Sequence, residues 1–139
     1  MNGKARRIAG TTLIILGGLV LVGSATSKLA HVPQVVSQMN ALGFSGEKLT
    51  FIGILELLSG LLFLLPGTRS AGLLLVSSYL GGAIATHLQH GEPILPPSIV
   101  LTVLWLGAWL RHPVILWSAA AQTQRPADER QTVSLGFRP

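Results

Sequence analysis

One acid stands where an acid is costly. The run Leu49–Leu65, LTFIGILELLSGLLFLL, is apolar apart from Glu56 near its middle. A charged side chain at bilayer depth costs roughly 2.5–3.5 kcal/mol on insertion scales, so such residues turn inward and find a partner. Two other groups could join it. Lys28 closes the first apolar run, and His87 closes the third. A carboxylate, an ammonium and an imidazole brought together between helices would make a neutralised pair. They would also make a polar head to a cavity suited to a small amphiphile such as a quinone, lipid or sterol-like molecule. Ser24, Tyr79, Thr86 and Thr102 are the hydroxyls expected nearby. A purely structural pairing of Lys28 with Glu56, fixing helix register, is the competing reading.

The rest of the inventory is sparse. His31 is on the approach to a loop helix, His90 is in a loop, and His112 is at the opposite end of its segment. No HExxH, no carboxylates at ligand spacing and no Ser-His-Asp set occur, so no metal site is expected. The 139 residues include no cysteine, which removes disulfides, thiol catalysis and cysteine-ligated clusters. Gly17-Gly18 and Gly81-Gly82 lie inside apolar runs and read as packing glycines. The segment Ser27-Lys28-Leu29 is internal and is not a peroxisomal address.

The elements that must position these groups are apolar. Hydrophobic residues make up 49% and charged residues 11% of the chain, and the mean hydropathy is +0.57. A soluble domain carries about 25% charged residues. The expected class is therefore all-α, an integral membrane four-helix bundle. A basic leader (1–7) precedes spans at 8–28, 49–65, 70–88 and 97–112, and an interfacial stub and disordered tail occupy 113–139. The first run also has the layout of a signal peptide, with Gly23-Ser24-Ala25 as a small-residue cleavage site. A retained span leaves Lys28 available to Glu56 and makes an even bundle. Gly10, Gly17, Ser24 and Lys28 then share one face of it.

Between the first two spans, Val32, Val35, Val36, Met39 and Leu42 have helical spacing. They predict a short amphipathic helix begun by Pro33 and ended by Gly43, lying on the membrane surface or capping the bundle. Ser45 is expected to cap the following helix, with Glu47 in its first turn. Gly53, Glu56 and Gly60 share a face, where small residues would admit a neighbouring helix. In the third run the series Ser77, Gly81, Ala85 and Ser78, Gly82, Thr86 reads as a helix-packing stripe. The fourth run is short for a span and Pro113 ends it.

The net charge of +5 does not point to nucleic acid, since interleaved aromatics are missing. The basic residues sort by segment instead. With the N-terminus inside, Lys4, Arg6, Arg7, Arg69, Arg111, Arg125, Arg130 and Arg138 fall on inner segments, and Lys28 and Lys48 on outer ones. That bias places both termini in the cytoplasm, in what is expected to be a bacterial inner membrane.

From about Ile8 to Pro113 the chain resembles the DoxX-like family of small membrane proteins. The resemblance rests on Gly23 to Leu29 (Gly-x-x-x-x-Lys-Leu), on Gly53-Ile-Leu-Glu-Leu-Leu-Ser-Gly60-Leu, on Gly81-Gly-Ala-Ile-Ala-Thr-His87, and on a fourth run ending Arg-His-Pro. It implies four transmembrane helices, with Lys28, Glu56 and His87 as polar positions of the family pattern. For some members it also implies a place in membrane oxidoreductase assemblies, thiosulfate:quinone oxidoreductase and oxidative-stress complexes among them; related eukaryotic members act as assembly chaperones for receptors. The functional expectation is an accessory or quinone/lipid-interacting subunit of such an assembly. It has no catalytic motif of its own and takes its electrons from a partner. The alternative is a non-catalytic assembly protein whose small-residue faces contact another membrane protein or a second copy. Four short spans with one acid argue against a carrier.

Overall fold

Long runs of leucine, isoleucine and alanine without internal proline fold as helices, and among the described residues they form four, with a short amphipathic fifth between the first two. The computed structural model describes residues 2–112. Its helices are α1 (Gly3–Leu29), α2 (Pro33–Ala41), α3 (Glu47–Leu64), α4 (Arg69–Gln89) and α5 (Leu95–Arg111). Among the described residues there is no strand. The stub and tail expected at 113–139 lie outside the described residues.

Helix α1 starts at Gly3, so the basic leader is helical from its third residue on. Pro33 sits in the first turn of α2 as expected, and Gly43 (φ 81°) turns the chain after it. The expected cap on α3 is corrected. Gly46 (φ 54°) is the N-cap and no side chain caps the helix; Ser45 contributes only its carbonyl, which accepts from the Lys48 N–H. The positive φ required here suits glycine, and that decides which of the two neighbours takes the position.

Side chains satisfy the end of α3 instead. The Thr68 hydroxyl donates to the Leu62 carbonyl, and the Arg69 guanidinium donates to the Phe63 and Leu64 carbonyls. These are carbonyls the helix itself leaves open.

The four longer helices run alternately up and down in a ring. Gly10 and Gly17 of α1 abut Arg111 and Leu104 of α5, and Gly53 and Gly60 of α3 abut Leu29 and Leu21 of α1. Gly72 of α4 lies on the backbone at Phe63 of α3, so closely that a Cβ would overlap it. Trp105 of α5 closes the ring by donating from Nε1 to the Ser77 hydroxyl of α4 at 3.0 Å. Ile14, Leu21, Phe63, Leu73, Val76, Leu80, Leu104 and Ala108 fill the middle.

The outside is apolar as well. Ile8, Leu16, Leu19, Phe51, Leu58, Leu74, Leu88 and Ile99 are each more than half exposed. Large apolar side chains turned outward on all four longer helices belong in lipid. Helices α1 and α4 have the length and composition to cross a membrane. Helix α3 carries Glu47, Lys48 and Glu56, and α5 has 17 residues, about 25 Å of helix against a core of about 30 Å.

Candidate functional site: a cavity over a buried ion pair

Lys28 and Glu56 meet. Lys28 Nζ is 2.7 Å from Glu56 Oε2 and donates a second bond, also 2.7 Å, to the Ser24 hydroxyl one turn back on α1. Lys28 is 6% and Glu56 3% exposed, so the pair is sealed from solvent. Gly53 makes the reach short. A Cβ there would stand 3.0 Å from the Leu29 side chain and 3.3 Å from the Lys28 Cβ, so a bare backbone lets α1 close on α3 one turn from the acid.

Above the pair lies a cavity of about 440 Å³ between the helices, at the end where α2 crosses. Its polar lining includes Ser24, Lys28, Glu56, Tyr79, Thr86 and His87, so five of the hydroxyl, imidazole and ionic groups expected from the sequence converge there with the lysine. Tyr79 faces the Glu56 carboxylate. Thr86 spends its proton on the Gly82 carbonyl. His87 Nδ1 is enclosed and has no hydrogen-bond partner among the described residues.

Thr102 is corrected. It is exposed on α5, donates to the Ser98 carbonyl and lines a separate outer groove with Trp105 and Trp109. Its place on the helix, one turn past Ser98, turns it away from the ring interior.

Sequence reasoning left open whether the α2 face caps the bundle, and it did not single out Phe44, Pro96 or Pro97 as cavity walls. Met39, Leu42 and Phe44 close it from the α2 side, and Pro96 and Pro97 from the first turn of α5. The helical spacing of Met39 and Leu42 was the available signal, because an amphipathic face must rest on something. The Trp105–Ser77 bond had no sequence signal. The α4 stripe is only partly a packing face: Ser77 takes the tryptophan, while Gly81 and Gly82 have open space where a side chain would be.

The other histidines stand apart. His31 Nδ1 lies 3.0 Å from the Leu29 carbonyl and His90 Nδ1 2.9 Å from the Thr86 carbonyl, each closing a turn. Among the described residues no group of three potential metal ligands comes together.

A helical molecule that turns leucine and isoleucine outward and hides its ion pair is an integral membrane protein in contact with lipid. The chain belongs to the DoxX-like family, whose model matches residues 11–112. No curated protein and no solved structure matches it.

Proposed function

We propose that the cavity over Lys28–Glu56 takes the ring head of a small membrane amphiphile, a quinone in the first instance, and that the protein serves a membrane oxidoreductase assembly as an accessory subunit. The observation that carries this reading is the convergence of Glu56, Tyr79 and His87 on one cavity with mostly apolar walls. A buried ring nitrogen without a partner costs about 1–3 kcal/mol, and a turn of the His87 ring that brings it to a ligand oxygen would remove the cost. The site fits the ligand class. Its volume falls in the range of small-molecule pockets, its walls are mostly apolar, and its few polar groups gather at one end. Glu56 and Tyr79 supply an acceptor and a donor beside the head group. Lys28 offsets the charge of the acid and donates to Ser24 and Glu56, which leaves one of its three N–H groups for a ligand.

In this reading α1, α3, α4 and α5 are all spans. The short α5 is extended to the interface by Arg111, which keeps its head in water while its stem lies in lipid. The basic residues favour a bacterial inner membrane with both termini in the cytoplasm, which puts the cavity in the outer half of the bundle.

A short-chain quinone analogue added to the purified protein in detergent tests the ligand. At a hundredfold excess over its Kd it should stabilise the fold by about 2.7 kcal/mol, seen as a rise in Tm. Glu56→Gln and His87→Phe should each reduce that rise. No rise at any soluble concentration would contradict the proposal.

One observation favours the second reading, an assembly role without a ligand. The open α4 face at Gly81 would admit a helix from another membrane protein or a second copy. A chain that purifies alone from mild detergent counts against this reading, and a stoichiometric companion lost in Gly81→Leu supports it.

A further inference from the structure

Among the described residues, the end of the ring away from the cavity gathers cations without acids. Gly10 brings this about. A Cβ on Gly10 would lie 2.6 Å from the Arg111 nitrogen and 3.0 Å from the Gly107 carbonyl oxygen, so the α1 and α5 backbones touch. Arg111 is thereby set beside the first turns of α1. Between them is a cleft of about 660 Å³, lined by Lys4, Arg6, Arg7 and Arg111 at its mouth and by Ile8, Thr11 and Thr12 along α1.

Among the described residues none of these cations is paired with a carboxylate. The described residues hold three carboxylates: Glu56 is paired with Lys28, Glu47 begins α3, and Glu92 is in the loop before α5, both at the other end. Arg6 Nε is enclosed and has no hydrogen-bond partner among the described residues. The Thr11 and Thr12 hydroxyls donate to the Arg7 and Ile8 carbonyls, so the donors left in the cleft are the cationic ones. Guanidinium forks and an ammonium converging on one space suit a phosphate. Ile8, 58% exposed just below, together with Ile15, gives an acyl chain an apolar surface to follow.

The geometry points to a binding site for the phosphodiester head group of an anionic glycerophospholipid between the N-terminal turns of α1 and the end of α5. This site is independent of the cavity over Glu56. It rests on the gathering of cations at one lipid-facing cleft and not on which side of the membrane that cleft faces.

The full-length protein in nanodiscs of phosphatidylcholine alone, or with one-fifth phosphatidylglycerol, provides the test. Native mass spectrometry counts retained lipids, and thermal unfolding reads stability. A cation near an anionic surface contributes roughly a fivefold preference. Wild-type protein should therefore retain the anionic lipid well over tenfold in preference to the zwitterionic one and unfold later in its presence. Arg7→Gln/Arg111→Gln should lose the preference. Lys48→Gln, an exposed cation at the other end, should keep it. Arg111→Lys should retain what Arg111→Gln loses, because the charge persists; equal loss in both would make Arg111 a packing residue and overturn the site. An undiminished preference in the double variant overturns it too. An equal gain from inorganic phosphate in phosphatidylcholine discs would overturn the lipid assignment in favour of a free anion.

Discussion

At the scale of single residues the structure separates groups that are spent from groups that are not. Lys28 has two of its three protons committed, to Glu56 and Ser24, and Ser59 and Thr86 have theirs committed to carbonyls of their own helices. His87 does not. Replacing it with phenylalanine removes the orphaned nitrogen while filling similar space, so His87→Phe should leave the empty protein's stability unchanged or raise it while weakening ligand. Unfolding with and without quinone analogue reads both, and a large loss of stability in the empty protein would mean that His87 holds the fold.

His112 offers a second residue-scale prediction. Its slight burial and the guanidiniums of Arg111, Arg69 and Arg7 hold its pKa below the ordinary value of 6.5. The folded chain therefore binds this proton less readily than the unfolded chain. Stability present above pH 6.5 is lost as the pH falls through that value toward the lower folded pKa. Proton NMR of the imidazole should place its midpoint below 6.5, and Arg111→Gln should move it up.

At the scale of elements, glycines decide which helices touch. Gly72 lies against the Phe63 backbone, where nothing can yield, whereas Gly81 faces open space. Gly72→Ala should destabilise by about 1–3 kcal/mol through overpacking. Gly81→Ala should be neutral or slightly stabilising, as alanine is the better helix former. Thermal unfolding of the two variants in detergent compares them directly, and equal effects would contradict the α3–α4 contact.

The same contrast shows what the sequence could reveal. The spacing Gly53, Glu56, Gly60 identifies the face that meets α1, because an acid flanked by small residues inside an apolar run has one economical direction. The stripe Ser77, Gly81, Ala85 looks as strong in the sequence, yet the structure uses only its first member inside the chain. Spacing reports that a face is smooth and not what lies on it. Thr102 fails for a related reason: membership of a span sets depth, while rotation about the helix axis is set by packing that a single sequence does not display. Ser45 lost the capping position to Gly46 because the chain needs a positive φ there, a demand visible only once the loop is closed.

For the whole molecule, the ring places an ion-paired cavity at one end and, at the other, cations that no described carboxylate answers. This polarity was largely legible, since Lys28, Glu56 and His87 mark one level and the arginines the other. The cavity's roof was less so, because α2 had two places to rest. The absence of cysteine makes sidedness directly measurable. Single cysteines at Gly67, between α3 and α4, and at Ser45, before α3, should react with a membrane-impermeant thiol reagent from opposite sides of intact vesicles. Labelling of both from one side would remove α3 as a span.

The account depends on a buried charge made tolerable by its neighbour, and a double-mutant cycle measures that dependence. Lys28→Met and Glu56→Leu should each cost about 3–5 kcal/mol in detergent unfolding, because each strands a buried charge. The double variant should cost far less than their sum. Losses that add within a few tenths of a kcal/mol would show that the two side chains do not hold each other, and the cavity would lose its floor.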